Sequence, residues 1–225
     1  MFTSETFSFL RELQAHNRRD WFEANKPRYE SLVREPALRF IEAMAPALTK
    51  FAPQFRADAR KMGGSLIRVY RDTRFARDKT PYKTNIGIQF RHALGKDIHA
   101  PGFYVHIADS EDCFLGAGCW HPQADTLLKI RQTIAEKPEK WFAVRDGQPF
   151  TRHWTLDGDR LKGAPRGFAA DHAAIDDLRR KDFIALALLS KTEVTSPEFV
   201  KHTGRLFAET GPFMGFLCQA VGVVF

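Results

Sequence analysis

The densest chemistry in the chain lies in residues 68–83, Arg-Val-Tyr-Arg-Asp-Thr-Arg-Phe-Ala-Arg-Asp-Lys-Thr-Pro-Tyr-Lys. Six cations (Arg68, Arg71, Arg74, Arg77, Lys79 and Lys83) stand there against two acids (Asp72 and Asp78). That is a balance of +4 in a protein whose net charge is +7. A guanidinium is a rigid fork of donors that matches phosphate or carboxylate oxygens in pairs, and lysines add compact point charges. Pro81 fixes one backbone angle and so stiffens the turn between Lys79 and Lys83. Tyr82 and Phe75 either wall a site or anchor the loop in the core.

Three readings of this segment stay open on residue types alone. In the first it binds a small phosphorylated or carboxylated ligand. Arg71, Arg74, Lys79 and Lys83 hold the anion, Asp72 orients an arginine, and Arg68 and Tyr82 line the rim. In the second, the basic run with interleaved Tyr70, Phe75 and Tyr82 contacts nucleic acid, in keeping with a sequence pI near 9.4. In the third, the aspartates pair with neighbouring arginines in an internal network that locks sheet to helices. Strand geometry constrains the first reading. On a regular strand, Arg68, Tyr70 and Asp72 share one face and Arg71 the other, so Arg68 and Arg71 do not converge on one small anion.

The elements that must position these residues follow from hydrophobic spacing. Phe7, Phe9, Leu10 and Leu13 form a helical stripe, and a second helix is predicted to open at Asp20 as N-cap with Glu23 three residues on. Pro27 predicts a break, and Pro36 the start of a helix with Ala37, Phe40, Ile41, Met44, Leu48 and Phe51 on its core face. After Gly63-Gly64 the period changes to two. Strands are predicted over residues 65–71, 85–91, 103–108 and 113–120, joined by turns at Gly95-Lys96-Asp97 and at residues 109–112. The last strand is weakened by Gly116 and Gly118. Connections this short favour an antiparallel meander. Helices resume near Pro122, over residues 171–180 and after Ser196-Pro197, with a break at Gly211-Pro212. Residues 148–168 read as an irregular connection, and residues 183–189 as a buried strand or part of a helix. The expectation is an α+β protein, one domain over residues 1–225: N-terminal helices to about 60, a sheet of about four strands over 61–120, and a mostly helical part over 121–225.

Composition bounds the rest. At 225 residues with 44% hydrophobic and 27% charged side chains, the chain can bury a core, which excludes disordered and collagen-like classes. No apolar run approaches the roughly 20 residues of a membrane span, so no membrane partner is expected. The N-terminus lacks a signal-peptide pattern, and three cysteines do not make a disulfide framework, so a reduced, cytoplasmic setting is expected. Cys113 and Cys119 read as small buried residues. The histidines form no H-E-x-x-H pair and no cluster with C-x-x-C, so no metal is expected, although His106 and His121 could approach each other. Motifs for nucleotide cofactors and nucleophile elbows are absent, and no cofactor is expected. No nucleophile–base pair is visible, so whether the protein is an enzyme stays open; His172 and Asp72 are the acid–base candidates.

The basic segment also carries a resemblance. Arg68, Arg71, Asp72, Arg74, Phe75, Lys79, Pro81 and Tyr82 fill the pattern R-x-x-R-D-x-R-F-x-x-x-K-x-P-Y, which resembles that of a bacterial family of conserved hypothetical proteins of about this length. Asn17-Arg18, Trp21-Phe22 and Asn25-Lys26 are similar to the family's opening segment. Leu161-Lys162, the Pro-Arg-Gly-Phe run at 165–168, His172 and Lys181-Asp182-Phe183 are similar to its later block. The glycine stretch before Trp120 is also similar, with Ala117 where family members often carry glycine. The resemblance spans most of the chain. It implies a domain of unknown function and carries over no activity, cofactor or catalytic residue. So specific an arrangement of polar residues gives weight to the anion-site reading.

Overall fold

The computed structural model describes residues 1–94 and 101–225; the turn expected at Gly95-Lys96-Asp97 lies outside them. Helices α1 (Ser4–Ala15), α2 (Arg19–Ala24) and α3 (Lys26–Tyr29) lead through a π-helical turn (Glu30–Arg34) into α4 (Glu35–Phe51). A short strand β1 (Phe55–Arg56) precedes the basic segment. Then come β2 (Asn85–His92), β3 (Gly102–Ala108) and β4 (Cys113–Cys119). The remainder holds α5 (Ala124–Glu136), α6 (Pro138–Asp146), α7 (Phe150–His153), β5 (Thr155–Asp157), α8 (Ile175–Leu178), β6 (Phe183–Leu189), α9 (Lys191–Thr195), α10 (Phe199–Glu209) and α11 (Gly211–Val221).

The described strands form one antiparallel sheet in the order β1-β2-β3-β4-β6-β5. The fold is α+β, and the meander β2-β3-β4 is where the period-two pattern predicts it. Two expectations need correction. The apolar run at 183–189 takes the strand alternative and pairs with β4 and β5, so the sheet expected over 61–120 gains two strands from the C-terminal part, which is otherwise mostly helical. Residues 65–71 make only isolated bridges, Leu66 with Ile88 and Tyr70 with Tyr82, and not a regular strand.

Smaller boundaries also moved. Helix α2 starts at Arg19 with Arg18 as the capping position, so Asp20 sits inside the first turn, where its charge still favours the positive end of the helix. The break expected at Pro27 falls at Asn25, and the proline occupies the first turn of α3, where its missing N–H costs nothing. Of residues 171–180, only Ile175–Leu178 are helical. Ser196 ends α9, and the cap of α10 is Glu198.

Register decides the two faces of the sheet. Ile86, Ile88 and Phe90 of β2, Phe103, Val105 and Ile107 of β3, Leu115 of β4, and Phe183 and Ala185 of β6 are buried. They pack against helices: Phe103 meets Phe51 of α4 and Phe207 of α10, and Phe183 meets Trp141 of α6 edge-on. Alternate residues face the other way, and there rows of side chains run across the strands. One row is Gly87, His106, Phe114 and Leu188. The next is Gln89, Tyr104, Gly116, Leu186 and Thr155. The third is Arg91, Gly102, Gly118, Ile184 and Asp157. Gly118 has φ +125°, and a Cβ there would lie 2.0 Å from the Phe183 carbonyl oxygen, so only glycine lets β4 approach β6 so closely. No described helix is long and apolar enough to cross a membrane.

Candidate functional site: a cavity on the open sheet face

The basic segment is a hairpin built onto the edge of β2. The Ile67 N–H donates to the Gly87 carbonyl and the Gln89 N–H to the Ser65 carbonyl. Farther out, Lys83 N–H donates to the Val69 carbonyl and Arg71 N–H to the Pro81 carbonyl. Tyr82 lies in the core and not on a rim: it is 3% exposed and stacks on Phe22 of α2 with centroids 4.0 Å apart. Asn17 clamps its backbone from both sides, donating to the Tyr82 carbonyl at 2.9 Å and accepting from its N–H at 3.0 Å. The aromatic residues of the opening segment thus anchor the motif's last tyrosine.

The tip of the hairpin supplies its own counter-ions. Arg71 pairs with Asp78 and the Thr80 hydroxyl. Arg74 makes a fork to Asp72, with its Nη2 2.6 Å from Oδ2. Lys79 donates to the carbonyls of Thr73 and Arg74 at 2.9 and 3.4 Å. The Arg74 guanidinium holds the Asp72 carboxyl at about 2, and the Thr80 N–H followed by Arg71 holds Asp78 at about 2. Both acids are therefore depressed in the folded state, and their contribution to the tip is present above the ordinary carboxylate range near 4. It fades as pH falls from about 4 through about 2. Amide exchange over residues 72–80 should accelerate in that window while the sheet amides stay protected. Unchanged exchange down to pH 2 would remove these pairs from the account of the tip. Phe75, at the apex, is 97% exposed, and Arg68 is exposed with no ion pair among the described residues.

Lys83 is placed differently. It is half-buried where the hairpin joins β2, its Nζ donates to the Arg68 carbonyl at 3.0 Å, and no described carboxylate pairs with it. Burial, and then the nearby Arg68 charge, lower its pKa. Its side chain lines a cavity of about 650 Å³ on the sheet face that the helices leave uncovered. Ile67, Phe114, Trp120, Ile184 and Leu186 give apolar walls, and the four glycines Gly87, Gly102, Gly116 and Gly118 leave the floor bare. Besides Lys83, the polar lining is Asn85, Gln89, Arg91, Tyr104, His106 and Asp157. This is the make-up of a small-molecule site: mostly apolar, with a few placed polar groups.

Asn85, Tyr104 and His106 form a chain with Glu111. His106 Nδ1 lies 3.2 Å from Tyr104 Oη and 3.4 Å from Asn85 Nδ2, and its Nε2 lies 2.9 Å from Glu111 Oε1. Phe114 stacks on the imidazole, with centroids 4.6 Å apart and planes 6° from parallel. Burial, and then the Glu111 charge, push the Tyr104 hydroxyl up to about 12. At the mouth, Trp120 is half-exposed, and the turn after it is pinned by buried Asp182, which accepts from the His121 N–H at 2.6 Å and the Asp159 N–H at 3.1 Å.

The acid–base candidates read from the sequence lie elsewhere. His172 is a latch: its Nε2 is 3.3 Å from the Ala135 carbonyl and its Nδ1 accepts from the Ala174 N–H at 3.0 Å. Asp72 is committed to Arg74. Cys113, Cys119 and Cys218 are buried, and burial raises the thiols of Cys119 and Cys218. Among the described residues, no group of three His, Cys, Asp or Glu side chains could hold a metal ion. Sequence reasoning missed Tyr104, His106 and Glu111 as a group. The available signal was the polar side of β3, where Tyr104 and His106 alternate with Phe103, Val105 and Ile107.

No curated protein and no solved structure matches the chain. A family model described as conserved hypothetical protein, DUF2461, matches residues 5–216. That match takes in the hairpin, the open sheet face and the helices behind it, and the chain belongs to the DUF2461 family.

Proposed function

We propose that the protein binds a small organic anion, a carboxylate or phosphate ester with an apolar body, in the cavity on the open face of the sheet. The observation that carries this reading is Lys83. It alone among the cations of residues 68–83 lines the cavity, which Arg91 and Asp157 also line, and no described carboxylate pairs with it. A cation in an apolar wall attracts an anion more strongly than one in water, because the effective dielectric is lower. The hairpin then serves as scaffold. Arg71 and Arg74 close on Asp78 and Asp72, Lys79 on backbone carbonyls, and the tyrosine and the Asn17 clamp fix where Lys83 enters the sheet.

Removing the ammonium while keeping the chain length tests this. Lys83→Met should weaken binding of phenyl phosphate or 4-hydroxybenzoate about tenfold or more, from a lost charge-assisted contact of roughly 1.5–3 kcal/mol. The melting temperature without ligand should change little. Calorimetric titration of both proteins reads the difference, and equal affinities would remove Lys83 from the site.

A second reading has one observation of its own. Phe75 stands bare at the hairpin apex beside Arg74, Arg77 and Lys79, an aromatic platform within a basic loop. Contact with single-stranded nucleic acid would make affinity fall steeply with salt and with Phe75→Ala.

A further inference from the structure

Resting on that placement of the ligand, we infer that Tyr104, His106 and Glu111 form a proton relay from the cavity to solvent, and that the chemistry done there is proton abstraction from the bound molecule. The geometry is directional. Tyr104 and His106 line the cavity, His106 is 9% exposed, and the Glu111 side chain beyond it is 58% exposed. Two donors, the Tyr104 hydroxyl and the Asn85 amide, point at His106 Nδ1, so that nitrogen accepts and the ring proton sits on Nε2, facing Glu111. Stacking on Phe114 fixes the ring plane. The missing Cβ of Gly87 makes room for the phenol, since a Cβ there would lie 2.8 Å from Tyr104 Oη.

The step balances without any further reagent. The ligand's acidic proton passes to Tyr104 Oη as the phenol's own proton passes to His106 Nδ1. The Nε2 proton moves to the Glu111 carboxylate and from there to water. The ligand keeps the electron pair as an anion, and the Lys83 ammonium in the same cavity offsets that charge. This is the arrangement of a general base oriented by a carboxylate, with a tyrosine as the group that touches the substrate.

The test uses 5-nitrobenzisoxazole, a flat apolar probe. Loss of its carbon-bound proton forms a nitrile, breaks the N–O bond and leaves the pair on a coloured phenolate. Wild-type protein should turn it over with saturation. Tyr104→Phe, which keeps the ring and leaves Asn85 on His106, should lower kcat at least about tenfold, with KM within about twofold. Glu111→Gln, on the solvent side, should lower kcat and leave KM unchanged. Amide shifts of Gly87 and Gly116 report binding of the probe separately. A probe that binds there but reacts no faster than in buffer, or equally fast in both variants, overturns the relay alone. Glycines that shift with phenyl phosphate but not with the probe also overturn the relay alone, and glycines that shift with neither overturn the cavity reading and the relay with it.

Discussion

Gly116→Leu is expected to close the site while leaving the protein folded. Gly116 sits in the middle of β4 on the open face. A Cβ there would meet Tyr104 Cβ at 3.5 Å and Leu186 Cδ2 at 3.7 Å, both ordinary contacts. The backbone is not in the left-handed region, and glycine is a weak strand former, so the fold should tolerate the change. The remaining leucine carbons project into the cavity. Overfilling a shaped site costs roughly 1–3 kcal/mol, felt here only by the bound state, so affinity should fall about fivefold to 150-fold. Titration with phenyl phosphate beside a thermal melt checks both halves. A folded variant that binds like wild type would put the ligand somewhere else.

Asp177→Ala is expected to be the most damaging single change to stability. The Asp177 carboxylate is 5% exposed and sits between Arg145 and the equally buried Arg180. Arg145 has a second partner in Asp146, but Arg180 has no other carboxylate among the described residues. Burial already lowers the Arg180 pKa, and removing Asp177 leaves its guanidinium uncompensated. Breaking one side of such a pair costs about 3–5 kcal/mol. For a chain of this length that is a drop in melting temperature of roughly 6–20 °C. Asp176→Ala is the control: its side chain is 78% exposed, and the loss should be under about 1 kcal/mol. If both variants melt together, the buried pair does not hold α8 against α6. Adding Arg180→Met to Asp177→Ala should recover part of the loss, because the stranded charge goes with it.

The fold was legible where burial is one-sided. Ile86, Ile88 and Phe90 alternate with polar or small residues because the helices cover one face of β2 and leave the other open. The same asymmetry in β6 was masked, since Ile184, Leu186 and Leu188 on the open face are as apolar as Phe183 and Ala185 behind them. A run apolar on both faces has no period to read, so its strand character came only with its partners β4 and β5. The hairpin at 65–83 was readable as chemistry but not as geometry. Arg74 with Asp72, and Arg71 with Asp78, are neighbours in sequence, and nothing in their order says whether they face each other or a ligand. Lys83 lies opposite Val69, two positions down the ladder from Arg71 and Pro81, and there it reaches the cavity wall. Glu111 was hidden differently. It belongs to a polar turn that reads as solvated loop, and only the return of the chain from β3 sets it against His106.

The most direct measurement is an amide shift map of the labelled protein titrated with phenyl phosphate. The largest shifts are expected at Lys83, Gly87, Tyr104, Gly116 and Gly118, with residues 72–80 nearly still. The largest shifts at Arg74, Arg77 and Lys79, with the sheet glycines unmoved, would contradict the cavity site and return the anion site to the hairpin tip.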